Sequence, residues 1–210
     1  MKYTIGPYLL PDLVRQDVEH VPQMPLILLE NFSAKLPEML RTGELDCAIM
    51  ARPFPAAGLA MAPLCDEPFL AAVPKRHPFA RRRRISTDEL KSETLLLLGT
   101  GHCFRDHVLE VCAEYARFSS RAEGLRKRFE GSSLEAIKYM GASGRGVTVV
   151  PCLSAPKEKQ RHIAYVPFVK PAPTRRVLRA WRRTFTRYEA IAALRNAICA
   201  CPLAGVTRLS

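Results

Sequence analysis

The stretch "SSLEAIKYMGASGRGVTVVP", residues 132–151, decides the fold. Serine precedes an apolar segment with helical spacing, and Glu135 falls in its first turn, as is typical of a helix N-terminus. Glycines then end the helix, and the β-branched run "VTVVP" predicts a strand directly after it. A helix that leads into a strand in this way indicates an α/β fold.

The same alternation of helical segments and short apolar strands extends over the chain. Further helices are predicted over 8–21, 33–43, 86–90 and 187–200, the second with Ser33 as its N-cap and Gly43 closing it. Strands are predicted over 3–5, 25–31, 45–51, 58–67, 69–78, 94–99, 162–169 and 175–182. The last ten residues are interpreted as a frayed tail.

These elements fall into two α/β halves. Prolines and a run of arginines interrupt the periodicity near 67–84. We therefore expect one subdomain over about 1–70 plus 178–210 and a second over about 71–177. Paired lobes of this kind commonly hold a small ligand at strand ends and helix N-termini.

Composition narrows the class of protein. Hydrophobic residues make up 48% and charged residues 25%, no apolar run approaches the roughly 20 residues of a membrane helix, and the start of the chain lacks signal-peptide features. Seven cysteines without framework spacing or a CxxC pair favour a reducing compartment over structural disulfides or a zinc site. We expect a cytoplasmic protein with no metal, no other cofactor and no membrane partner.

The net charge is +12, and arginines cluster at 81–84 and within 174–183. Such clusters suit a nucleic-acid surface, but they are more often solvated side chains on loops and strand faces. No zinc finger, glycine-hinged helix-turn-helix or RNA-binding aromatic motif accompanies them. The sequence therefore favours solvated arginines.

The segment "GTGHCFRDHVLEVCAEY", residues 99–115, carries two cysteines nine positions apart. Its glycines permit a tight turn that places Cys103 in the first turn of a helix, where amide dipoles, His102 and Arg105 favour a thiolate. Asp106 shares the helix face of Cys103 and is a candidate to cap amides, orient His102 or relay a proton.

The predicted helix separates the two thiols. Nine residues rise about 13.5 Å and turn about 900°, which puts Cys103 and Cys112 on opposite faces. A disulfide requires Cα atoms roughly 4.4–6.8 Å apart, so a bond between them requires the helix to unwind. The residues alone leave two interpretations open: a redox switch, or a polar cysteine at the helix start with a core-filling cysteine after it. His107, between them, is interpreted as an ordinary surface or turn residue.

Several motifs resemble the peroxide-sensing members of the LysR-type transcriptional regulators, over roughly residues 3–198. The motifs are "TIGPYLLP" at 4–11, "GELDCAI" at 43–49, "DEPFLAAVPKRHP" at 66–78, "GHCFRD" at 101–106 and "SSLEAIKYMGASGRGVTVVP" at 132–151. The last marks the effector-binding fold of the family. "GHCFRD" followed by a second cysteine is more specific for peroxide sensing.

The resemblance implies two Rossmann-like subdomains, similar to periplasmic binding proteins, in a LysR substrate-binding domain. It implies that hydrogen peroxide is the effector, that Cys103 is the peroxidatic cysteine and that Cys112 is the resolving cysteine. The other residues that it implies for binding or activating peroxide are Thr4, Ser33, His102, Arg105, Asp106 and Arg175, with Arg176 as the alternative to Arg175.

The resemblance also implies partners. These are a second copy in a homodimer or homotetramer, a thioredoxin- or glutaredoxin-type reductant, and promoter DNA and RNA polymerase through the complete regulator, an oxidative-stress activator. The family's winged helix-turn-helix has no counterpart in this sequence, so we expect an isolated regulatory domain. The polar segment 113–131 is expected to give slack for refolding around Cys112.

Two other functions stay open. One is a LysR-type domain that binds a small anionic metabolite in the cleft between the subdomains, with the cysteines incidental. The other is a thiol peroxidase, which is disfavoured because the proline, threonine and cysteine pattern of peroxiredoxins is absent. We therefore expect a sensor that is not an enzyme.

Overall fold

The computed structural model describes residues 1–20, 22–112, 130–156, 158 and 160–209. The chain divides into two compact units, the first made of Met1–Glu67 and Arg176–Ser210 and the second of Pro68–Arg175. Most of the polar segment that is expected to give slack near Cys112 lies outside the described residues.

The described elements follow one another along the chain as helices and strands. They are α1 (Gly6–His20), α2 (Leu36–Thr42), β1 (Cys47–Ala51), β2 (Leu59–Pro74), β3 (Leu97–Leu98), α3 (Cys103–Val111), β4 (Glu130–Gly131), α4 (Leu134–Ala142), β5 (Thr148–Pro151), β6 (Ile163–Pro167), β7 (Thr174–Arg182), α5 (Tyr188–Ala200) and β8 (Thr207–Arg208). Short 3-10 helices cover Pro78–Arg81, Asp88–Ser92 and Cys152–Ser154.

In the first unit, β1 pairs antiparallel with β7 and β8 pairs antiparallel with β2. Leu9 and Leu13 follow helical spacing on α1, and they pack into one buried cluster with Ile49 of β1 and Ile198 of α5. This core fixes the turn before α1, which contains Thr4.

In the second unit, β2 lies between β5 and β6 and is antiparallel to both, so that Ala72 faces Thr148 on one side and Tyr165 on the other. β3 pairs in parallel with β4. The helix predicted within residues 132–151 is confirmed as α4, where the Oγ of Ser133 accepts a hydrogen bond from the amide of Ala136 at 3.1 Å.

The strand predicted over 3–5 is wrong. The amides of Ile5 and Gly6 both donate to the carbonyl of Lys2 at 2.9 Å, which makes this segment a turn. The turn leads directly into α1, so the helix begins earlier than the sequence predicts.

The buried strand predicted over 25–31 is also wrong. Its backbone forms one bridge, from Asn31 to Lys2, and Ile27 is 96% exposed. A short apolar run does not by itself determine burial, because burial depends on what the rest of the chain places against it.

Ser33 is not a helix N-cap. α2 begins at Leu36, with Lys35 before it, and Ser33 is buried in the preceding turn. The end of α2 is confirmed: Gly43 has φ of +87°, a left-handed conformation that glycine adopts without a Cβ clash.

Two further expectations are corrected. β2 is continuous where the sequence predicts two strands, since pairing resumes directly after Pro68 with the amide of Phe69, which donates to the carbonyl of Pro173 at 2.9 Å. The tail is not frayed, because β8 pairs with β2 and the Arg208 guanidinium donates to carbonyls at the end of α5. No described helix is both long and apolar enough to cross a membrane.

Candidate functional site

The candidate site in the second unit starts at the turn after β3. Gly101 has φ of +93°, which a residue with a side chain rarely adopts, and His102 follows in extended conformation as the N-cap of α3. Cys103 is therefore the first residue of α3, as the sequence predicts, and it is half-buried. The unpaired amides of the first turn point toward the N-terminal end of α3, where Cys103 lies.

Arg105 fastens the start of α3 to the end of β3. Its Nη1 donates to the carbonyl of Leu98 at 2.9 Å. A charged donor on a carbonyl makes a stronger hydrogen bond than a neutral one. Arg105 therefore has a structural role in addition to the role in peroxide binding or activation that the resemblance implies.

The apolar face of α3 is anchored by Phe104, which is 1% exposed. Its ring meets Phe69 of β2 edge-on, with centroids 5.2 Å apart. The guanidinium of Arg175, itself buried, lies 5.3 Å from the centre of the Phe104 ring, within the range of a cation–π contact.

Cys112 follows the last residue of α3. Its amide donates to the carbonyl of Val108 at 3.0 Å, and its side chain is 2% exposed. Burial raises the pKa of the Cys112 thiol to about 11, against a smaller opposing effect of the Lys91 charge. At neutral pH Cys112 is therefore a protonated, shielded thiol.

Both cysteines are reduced thiols at opposite ends of one helix. The rise of an α-helix puts their Cα atoms about 13 Å apart, well beyond what a disulfide spans. The prediction that α3 stands between them is confirmed, and their joining would require α3 to unwind.

The structure distinguishes Arg175 from Arg176. Arg175 is buried, whereas Arg176 is exposed and makes a bidentate ion pair with Asp66 at 2.8 and 2.9 Å. This ion pair lowers the pKa of Asp66. The burial of Arg175 could have been predicted from the alternation of side chains along β7, because Arg175 shares its strand face with the buried Val177.

The remaining predicted residues are divided between the units. His102, Arg105 and Asp106 lie beside Cys103 on the start of α3, with Asp106 exposed. Thr4 and Ser33 belong to the first unit, where both are buried in the turns before α1 and α2.

Two residues depart from what the sequence indicated. His107 is 6% exposed and stacks at a tilt on Phe69, 6.1 Å between ring centres, so its interpretation as a surface or turn residue is wrong. Its helical spacing from Phe104 was the available signal. Arg179 is buried as well, so the solvated-arginine interpretation fails for part of the second cluster, whereas the cluster at 81–84 is exposed.

Among the described residues, no group of three or more histidine, cysteine or carboxylate side chains is placed to hold a metal ion. The site is instead built from two thiols, the basic and acidic side chains around Cys103, and an aromatic anchor.

The LysR substrate binding domain family matches residues 1–200, and the chain belongs to this family. The predicted LysR substrate-binding fold is therefore confirmed.

Several relatives are hydrogen peroxide-inducible genes activators or OxyR proteins. A hydrogen peroxide-inducible genes activator of Pectobacterium carotovorum subsp. carotovorum is 36% identical over 180 residues, which are 85% of this chain and 58% of that protein. The reduced form of OxyR from N. meningitidis superposes with a TM-score of 0.93 at 39% identity, covering 100% of this chain and 96% of that one. An oxidised form of OxyR has a TM-score of 0.76 at 33% identity, covering 95% and 93%. The chain thus spans about three fifths of the length of the curated relatives that it matches.

Proposed function

We propose that this chain is the hydrogen peroxide-sensing regulatory domain of a redox-responsive transcriptional regulator. The observation that carries the proposal is the placement of two reduced thiols at the two ends of α3, one half-buried beside basic groups and one fully shielded. The names of the relatives, peroxide-inducible activators and OxyR in two redox forms, support it.

The first chemical step takes place at Cys103. Its thiolate attacks one oxygen of hydrogen peroxide, so that an S–O bond forms and the O–O bond breaks. The second oxygen leaves as hydroxide and takes up a proton to become water. The sulfur is oxidised by two electrons to a sulfenic acid, and the peroxide is reduced by the same two electrons.

The second step joins the two cysteines. Cys112 loses its proton and attacks the Cys103 sulfur, an S–S bond forms, and the sulfenic oxygen leaves as water. Because Cys112 is shielded and its pKa is raised to about 11 in the folded helix, this step waits until α3 opens. The disulfide then locks the opened form, which is the signal.

The same separation favours a sensor over an enzyme. Each turnover of a peroxidase built on this pair would require α3 to open and refold, so we propose slow turnover with a thiol reductant. In the complete regulator we propose that the opened form rearranges a homodimer or homotetramer, acts on promoter DNA and RNA polymerase, and is reset by a thioredoxin- or glutaredoxin-type protein. We also propose a cytoplasmic location, which the reducing requirement of free thiols supports.

The peroxide-binding residues remain predictions from the resemblance. Thr4, Ser33 and His102 are proposed to hydrogen-bond the peroxide, and Arg175 is proposed to favour the charged states of the reaction. Asp106 is proposed to cap first-turn amides, orient His102 or relay a proton. Valine at Thr4 keeps the shape and removes the hydroxyl, so T4V should slow oxidation of Cys103 without preventing it.

The test uses Cys112→Ser, which stops the reaction after the first step. Treatment with hydrogen peroxide and dimedone should label Cys103 at a rate far above that of the exposed Cys199 in the same chain. Equal labelling of both residues would overturn the proposal, since Cys103 would then have no special reactivity. Ligand-induced thermal stabilisation by small carboxylates that persists without either cysteine would favour the metabolite-binding alternative instead.

A further inference from the structure

The end of β2 leads into a segment rich in cations, residues 75–84, which we call the basic segment. Its charged side chains are all exposed: Lys75, Arg76, Arg81, Arg82, Arg83 and Arg84. The proposed redox function uses none of them.

The carboxylates that follow this segment already form ion pairs. Glu89 pairs with Arg82 at 3.0 Å and also accepts the amide of Ser86 at 2.8 Å. Asp88 pairs with Lys91 at 2.7 Å. In the described part of the chain, no ion pair to a carboxylate is found for the other cations of the basic segment, which are Lys75, Arg76, Arg81, Arg83 and Arg84.

The backbone of the basic segment is firmly held. The Nδ1 of His77 accepts the amide of Phe79 at 3.2 Å, its Nε2 lies 3.2 Å from the carboxylate of Glu93, and Pro78 starts a 3-10 helix. Beyond the arginines, Ile85 is fully buried, and its amide donates to the carbonyl of Pro167 at 3.1 Å. A fixed backbone lowers the entropy lost when the segment binds a partner.

A further cation, Arg161, lies beside the basic segment, two residues before β6 begins. The amide of Lys75 donates to the carbonyl of His162 at 2.9 Å, which continues the antiparallel register of β2 and β6 by one residue. Arg161, which is exposed, directly precedes His162 in the chain. The positive surface therefore spans two parts of the chain that the fold places side by side.

We propose that the basic segment and Arg161 bind the phosphate backbone of duplex nucleic acid without reading its sequence. Arginine predominates, and its planar guanidinium bridges two phosphate oxygens in a way that lysine does not. Phe79 is half-buried against His77 and is not free to insert into lipid, which disfavours a membrane surface. The inference does not depend on the chemistry of Cys103, so either this proposal or the proposed peroxide sensing can fail without the other.

The test measures fluorescence anisotropy of a labelled duplex of arbitrary sequence with the reduced 210-residue chain at several salt concentrations. Non-specific affinities of this kind lie at about 10⁻⁶–10⁻⁴ M, and each neutralised phosphate contributes about 0.9 to the slope of log K against log salt. Replacing Arg81, Arg82, Arg83 and Arg84 by serine should weaken binding at least about tenfold and reduce the slope by about 2–4.

The matched control removes the same charge elsewhere. It replaces Arg15, Arg145, Arg187 and Arg195, which are exposed and outside the basic segment, by serine. The control should keep most of the affinity and slope. Equal losses in both variants would overturn the proposal, since net charge alone would then explain binding. Binding of phosphatidylserine vesicles, with none of the duplex, through the same arginines would overturn it in favour of a lipid surface.

Discussion

Helices α3 and α4 are both nine residues long and both bury one face in the second unit, yet they are held in different ways. α4 has a side-chain cap from Ser133, and the buried Lys138 donates to Glu135 within the helix and to the carbonyl of Ser154 beyond it. α3 has no side-chain cap at His102. The difference shows that α3 depends on tertiary anchors, chiefly Phe104 and Arg105, where α4 is also stabilised locally.

This difference suits the proposed switch. A short helix without local stabilisation is marginal by itself, so its folded state is controlled by a few packing contacts. α3 carries a thiol at each end, and a covalent bond between them competes directly with those contacts. α4, next in the chain among the described helices, provides an internal standard against which to measure the lability of α3.

The largest expected effect comes from the reactive thiol. Cys103→Ser should abolish the loss of two thiols that peroxide causes in the reduced chain, because no sulfenic acid can form at the helix start. Thiol titration before and after one equivalent of hydrogen peroxide measures this loss. Cys199→Ser is the control and should still lose two thiols; if it behaves like C103S, the reactive cysteine has been misassigned.

The anchor of α3 should carry much of the stability of the second unit. Phe104→Ala removes a ring that is almost fully buried against Phe69, and such truncations lower the free energy of unfolding by about 3–5 kcal/mol. Glu110→Ala, on the exposed side of the same helix, should change it by less than about 0.5 kcal/mol. Urea denaturation measures both, and similar values would show that α3 is not held by this anchor.

The shielding of Cys112 predicts a dependence on pH. Its folded pKa of about 11 lies above the ordinary value of 9.0, so its contribution to stability is complete below pH 9 and is lost as pH rises through 11. A shift of this size corresponds to about 2.7 kcal/mol. Urea denaturation across this range should show a steeper fall for the unchanged chain than for Cys112→Ala, which keeps Cys47 and Cys201, two thiols whose pKa values burial also raises to about 11. Parallel curves would mean that Cys112 ionises as freely in the folded chain as in the unfolded one.

A smaller effect distinguishes the two roles considered for Arg105, which are anchoring α3 and activating Cys103. Arg105→Gln removes the charged hydrogen bond to Leu98, which should lower stability by about 1–2 kcal/mol and speed disulfide formation from the sulfenic acid. Ser133→Ala in α4 loses a cap at a similar cost of about 1 kcal/mol and should leave that rate unchanged. Rapid-quench alkylation follows the rate, and slower formation of the sulfenic acid itself in R105Q would indicate that Arg105 activates Cys103.

Local signals determined which elements could be predicted from the sequence. Ser133 with Glu135 marked the start of α4, Gly43 marked the end of α2, and glycines before Cys103 marked the start of α3. Each of these is decided within a few residues of chain.

The errors arose where distant segments decide the outcome. The exposure of Ile27, the burial of Ser33 in a turn and the pairing of β8 with β2 all depend on residues far away in sequence. The same holds for His107, whose surroundings include Phe69 from β2. The spacing of Cys103 and Cys112, by contrast, is local, and for that reason the separated thiols of the candidate site were predictable.

The most direct test of peroxide sensing by Cys103 and Cys112 is peptide mapping of the fully reduced chain after one equivalent of hydrogen peroxide. Trypsin cuts after Arg105, which places Cys103 in the peptide 92–105 and Cys112 in the peptide 106–117. We expect one linked pair of these peptides, lighter by two hydrogens than their sum, and hence an α3 that has opened. Two separate peptides with both thiols intact, from a chain that remains folded, would contradict it.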